Sequence, residues 1–61
     1  MPEPVFEITK DKTGKFRFHL KATNGEIIAT SEAYVTKQSC QDGIKSVKDN
    51  ALKATIKDLS V

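Results

Sequence analysis

Phe16-Arg17-Phe18-His19-Leu20-Lys21, running into Ala22-Thr23-Asn24-Gly25-Glu26-Ile27-Ile28, is the stretch that decides the fold. From Lys15 to Ala22 the side chains alternate. Phe16, Phe18 and Leu20 point one way, and Arg17, His19 and Lys21 the other. A period of two marks a strand buried on one face. Asn24-Gly25 between two such runs signals a β-hairpin, because glycine accepts the positive φ that a tight turn needs.

The third strand is expected from Ile27 to about Glu32, and its register has two readings. A two-residue turn puts Ile27 and Ala29 on the phenylalanine face. A type I turn with a glycine bulge puts Ile28 and Thr30 there, since a slip of one residue exchanges the faces.

Upstream, Val5 to Lys10 alternates as well, with Phe6 and Ile8 on one face and Val5, Glu7 and Thr9 on the other. Asp11-Lys12-Thr13-Gly14 reads as the turn that joins this strand to the next. Met1 to Pro4 holds two prolines and is expected to be an extended lead-in.

Downstream, the period changes. Thr36 suits a helix N-cap. From Lys37 to about Ala51, the residues Cys40, Ile44, Val47 and Ala51 fall at spacings of four, three and four, which makes one apolar stripe. A helix of about four turns is marginal alone, so it must dock on the phenylalanine face. Gly43 sits inside it at a cost of about 1 kcal/mol relative to alanine, which suggests close approach to the sheet. Weak alternation through Ala54, Ile56 and Leu59 predicts a short strand near 54–59. The expected fold is α+β, a β-β-β-α-β unit with a three-stranded antiparallel meander packed on one helix.

Sixty-one residues, taken as 1–61, make one domain. A chain this short buries only about 60% of its unfolded surface. It therefore needs a disulfide, a metal or a partner to be secure. One cysteine, Cys40, excludes an intrachain disulfide, and Cys40 with His19 alone cannot supply the about four ligands of a structural zinc. No metal or cofactor is expected. Unusually good local packing or self-association remains, and the small-scaffold argument favours self-association. Ile56 and Leu59 of the last strand are the residues expected at a homodimer interface.

The net charge of +2 comes from ten basic and eight acidic residues spread along the chain. That is not the dense positive field of a nucleic-acid binder. No apolar run approaches the ~18 residues of a membrane span. The first residues lack the basic and apolar regions of a signal peptide. With a single thiol besides, a cytoplasmic location is expected.

The sequence also resembles a known family. Val5-Phe6-Glu7-Ile8 with Lys10-Asp11 resembles the opening of the YegP-like proteins, a bacterial family of unknown function. So does Phe16 to Ala22 running into Asn24-Gly25-Glu26-Ile27-Ile28-Ala29. Ser31-Glu32, Tyr34, Lys37, Gly43-Ile44, Ser46-Val47-Lys48 and Asn50-Ala51 continue the match. Ala33 stands where the family usually has glycine, and Phe16 where it often has tryptophan. The resemblance implies two β-β-β-α-β units, as tandem repeats or as a dimer, joined into one sheet with exchanged C-terminal strands. With one unit, this chain resembles the homodimeric form. The family brings no established catalytic residues.

Cys40, the one thiol nucleophile, lies on the apolar stripe, where cysteine acts as a small hydrophobe. His19 is expected outside the sheet with Glu7 across from it, as half of a polar cross-strand pair. Arg17, His19 and Lys21, spaced about 7 Å apart along a strand, form the best candidate site for nucleic acid or another anion. The face lacks a stacking aromatic, and Glu7 and Glu32 are expected to balance it. Tyr34, at the strand-to-helix junction, is a further ligand candidate. The glycines make no phosphate-binding loop. The function expected is a small non-catalytic homodimeric interaction or structural module, with nucleic-acid or anion binding on the basic face as the alternative.

Overall fold

The computed structural model describes residues 3–60. Met1 and Pro2 of the expected lead-in, and Val61, lie outside them. Three strands, β1 (Val5–Lys10), β2 (Phe16–Lys21) and β3 (Ile27–Thr30), precede a helix, α1 (Lys37–Ala51). The strands form an antiparallel meander in the order β1-β2-β3. The β1–β2 register sets Phe6 opposite Leu20, Ile8 opposite Phe18 and Lys10 opposite Phe16 on the face toward the helix. Val5 opposite Lys21, Glu7 opposite His19 and Thr9 opposite Arg17 make the outer face.

Both hairpin turns use one device. The Gly14 amide donates to the Asp11 carbonyl, Asp11 N donates to the Lys15 carbonyl, and Gly14 takes φ +83°. The Gly25 amide donates to the Ala22 carbonyl, Ala22 N to the Glu26 carbonyl, and Gly25 takes φ +85°. Each is a turn with a glycine bulge, where only glycine is free of Cβ strain.

The second turn would by itself put Ile28 opposite Leu20. Instead Lys21 pairs with Ile27, which keeps Ile27 on the outer face as the bulged turn predicts, and Leu20 pairs with Ala29, because a second bulge at Ile28 turns Ala29 inward as the two-residue turn predicts. Ala29 therefore faces the helix side with Leu20, and Thr30 lies opposite His19 on the outer face. β3 stops at Thr30 rather than Glu32 because Ser31 leaves the ladder. Ser31 N donates to the Phe18 carbonyl, while Ser31 Oγ, not a backbone carbonyl, accepts from Phe18 N at 2.9 Å. The chain returns to the sheet at Tyr34, which exchanges two 2.7 Å backbone hydrogen bonds with Phe16.

α1 starts as expected. Thr36 is extended at φ −121°, ψ 154°, and its Oγ1 accepts from Ser39 N at 3.0 Å. That satisfies one of the first-turn amides that lack a helical partner. The helix lies over β2. Phe18 is 5% exposed and Cys40 is fully buried beneath it. Phe6 meets Phe18 edge-on at 5.9 Å, and Tyr34 stacks on Phe18 at 6.2 Å.

The expected strand over 54–59 does not form within this chain. Lys53 N and Ala54 N both donate to the Asn50 carbonyl, closing the helix. The tail then meets neither free edge of the sheet. A strand needs a neighbour to take its amides and carbonyls, and here it has none. Ile56 is 99% exposed.

Candidate functional site

The candidate residues fall on two separate surfaces. Arg17, His19 and Lys21 stand on the outer face of β2, as their alternation predicts. Tyr34 projects to the other face, against Phe18, so the structure does not bring it to the basic row.

On the outer face, each basic side chain is held by a carboxylate. Glu7 Oε1 accepts from His19 Nε2 at 2.7 Å and from Lys21 Nζ at 3.2 Å. The direct cross-strand pairing of Glu7 with His19 places the first contact, and the diagonal places the second. The His19 hydrogen bond, then that of Lys21, holds the Glu7 carboxyl below the usual carboxylate range. Arg17 Nε lies 3.5 Å from Asp11 Oδ2. The sequence assigns Asp11 only to the turn and gives Glu7 and Glu32 as the balancing charges. Asp11 does both jobs instead. Its Oδ1 accepts from Thr13 Oγ1 at 2.6 Å, Thr13 N at 2.9 Å and Lys15 N at 3.0 Å. The Thr13 hydroxyl and the turn amides bring its pKa from 3.8 down to about 2. The signal was available: an aspartate opening a turn commonly caps amides two residues on.

The inner face carries the larger feature. β1 and the C-terminal half of α1 are not in close contact, and two adjoining hollows of about 550 and 520 Å³ run between them. Phe6, Ile8, Leu20, Ile44, Val47 and Leu52 supply their apolar walls, with Lys48 on the rim of both. Val47 is 38% exposed although it belongs to the helix stripe. Ile56 and Leu59, the expected interface residues, lie in the exposed tail with Leu52. Sequence periodicity marked the stripe but not the hollows, because their width depends on how the helix crosses the sheet.

Among the described residues, the remaining groups bring together no reactive pair. Cys40 packs on the inner face, and burial pushes its thiol up. His19 lies on the opposite face. Among the described residues no three His, Cys, Asp or Glu side chains are grouped to hold a metal. No described helix is long and apolar enough to cross a membrane.

Comparison with known proteins places the fold. The family described as a domain of unknown function (DUF1508) matches residues 11–58. A UPF0339 protein of Treponema denticola is 59% identical over 51 residues, covering 84% of this chain and 88% of its own. The UPF0339 protein YegP of Yersinia pestis is 52% identical over 46 residues, covering 75% of this chain but 41% of its own. The NMR solution structure of a protein from Haloferax volcanii superposes with a TM-score of 0.82 at 39% identity, over 95% of this chain and 98% of that one. No relative's name points to a catalytic activity. The chain belongs to the DUF1508 (UPF0339) family, whose function is unknown.

Proposed function

We propose that this chain is a small non-catalytic interaction or structural module that acts as a homodimer, each copy's tail completing the other's core. The observation that carries this reading is the uncovered apolar groove beside an unpaired apolar tail. The chain exposes 5260 Å², where a compact monomer of 6.7 kDa exposes roughly 3,900 Å². Its radius of gyration is 13.3 Å, against roughly 10.5 Å for a compact chain of this length. The excess, about 1,300 Å² per copy, doubles to an area in the range of permanent dimers. β1 is an edge strand with a free ladder, and its inward residues Phe6 and Ile8 line one of the hollows, with Pro4 and Val5 at its end. A strand added there would cover the groove.

Two further points support the reading. The Yersinia relative, of which this chain spans 41%, has room for a second unit in one polypeptide, whereas the Treponema relative has room for one. The outer basic row, by contrast, is neutralised by Glu7 and Asp11 and carries no aromatic for stacking.

Sedimentation equilibrium of the full chain across about 1–100 µM, where mass action shifts an association equilibrium, tests the proposal. The expected result is a species of twice 6.7 kDa. The chain lacking residues 53–61 is expected to lose its cooperative melting transition. A truncated chain that stays folded and monomeric overturns the reading.

A further inference from the structure

The Glu7 carboxylate is half used. Both of its cationic contacts, His19 Nε2 and Lys21 Nζ, are made through Oε1, and its side chain stays 42% exposed. Glu7 lies on β1, which has a neighbour on only one side. His19 and Lys21 come from that neighbour, and among the described residues Oε2 takes no hydrogen bond or ion pair.

The tail carries a matching charge at a matching parity. Residues directly opposite on paired strands point to the same face. Phe6 and Ile8 point inward, and Glu7 between them points outward. A tail strand that lays Ala54 and Ile56 over the groove must turn Thr55 and Lys57 outward. Leu59 breaks this alternation, because it stands three residues after Ile56. The structure supplies the reason for the break. Asp58 Oδ1 accepts from Ser60 N at 2.9 Å and also from Ser60 Oγ. In a tail paired along β1, this local turn would end the extended run at Lys57, so Leu59 would not have to follow the alternation of Ala54 and Ile56.

We infer that Lys57 of a second copy completes the outer-face cluster by donating to Glu7 Oε2, which fixes the register of the tail on the β1 edge. The cluster is thus shared between copies, with Glu7, His19 and Lys21 from one and Lys57 from the other. The inference rests on the dimer reading and adds the edge, the parity and the contact. A two-fold dimer holds the pair twice, so each substitution removes two of them.

Sedimentation equilibrium of the full chain and four variants (Lys57→Glu, Glu7→Gln, the two combined, and Ile56→Asp) tests it. Lys57→Glu sets a carboxylate against Glu7 and is expected to raise the dimer dissociation constant about tenfold at ~50 mM salt, with most of the effect gone at ~1 M, where the screening length is short. In a Glu7→Gln background the same change is expected to shift the constant by less than twofold, since the repelling charge is gone. Ile56→Asp is expected to give monomer. If Ile56→Asp dissociates the dimer and Lys57→Glu leaves the constant unchanged, the register is wrong while the dimer stands. If the unaltered chain is monomeric, both readings fall.

Discussion

Tyr34 occupies the space that a side chain at Gly43 would need. A Cβ on Gly43 would stand 2.5 Å from Tyr34 Oη, 2.9 Å from Tyr34 Cζ and 3.2 Å from Phe18 Cε2. Tyr34 cannot swing aside cheaply, since its backbone is paired with Phe16 and its ring stacks on Phe18. Gly43→Ala would gain about 1 kcal/mol of helix propensity. Overpacking costs about 1–3 kcal/mol, so the overlap should win. The expected outcome is net destabilisation of about 1 kcal/mol, read by urea or thermal unfolding. Combining it with Tyr34→Leu should recover part of the loss relative to the sum of the single changes. Strict additivity in that double-mutant cycle would show that the two residues do not compete.

The paired turns give a second prediction. Gly14 and Gly25 both hold φ near +85° within matching hydrogen-bond patterns. A Cβ at Gly25 meets nothing within 4 Å, so any cost of Gly25→Ala is backbone strain and not a clash. Each alanine substitution should destabilise the fold by about 1 kcal/mol. Gly25→Asn should cost less, because asparagine tolerates the left-handed region. Equal stability of Gly25→Ala and the unaltered chain would contradict the turn assignment.

Much of this fold was readable in the sequence because its strands and helix have clean periods. The β1–β2 faces follow from Phe6, Ile8, Phe18 and Leu20, and the helix start from Thr36. The β3 register was not readable. Two bulges of one residue each, at Gly25 and Ile28, cancel, and only the first has a glycine to announce it. The outer cluster was half readable. Glu7 across from His19 follows from alternation, but Asp11 reaching Arg17 depends on a side chain folding back from a turn. The tail illustrates a different limit. Alternation in 54–59 describes what those residues can do beside a neighbour, and a single chain offers them none.

Acid should weaken the fold through Asp11 and Glu7. The Asp11 pKa falls from 3.8 to about 2 on folding, chiefly through the Thr13 hydroxyl. Glu7 is lowered from 4.5, chiefly through His19 and then Lys21. A depressed folded pKa means the unfolded chain binds the proton more readily. The stabilisation is therefore whole at neutral pH and fades as pH drops below the ordinary carboxylate range toward about 2. Melting temperature measured from pH 7 to 2 should decline along that lower stretch. Asp11→Asn should lower the plateau and flatten the decline. A decline of unchanged steepness in Asp11→Asn would remove Asp11 from the account.

Cys40 offers a probe of the folded core that needs no added label site. The side chain is fully buried, and burial raises its thiol pKa. The thiolate is the reactive form, so both access and ionisation suppress modification. A disulfide reagent at pH 8 should leave the native protein unreacted on the timescale in which the urea-unfolded chain reacts to completion. Native labelling should proceed only as fast as the protein opens. Cys40→Ser keeps the size but buries a hydroxyl in place of a weakly polar thiol, at an expected cost of about 1–3 kcal/mol. Cys40→Ala should be milder, because the loss of one atom leaves only a small void. Fast native labelling, or Cys40→Ser as stable as the unaltered chain, would mean that the helix does not sit on β2 as described.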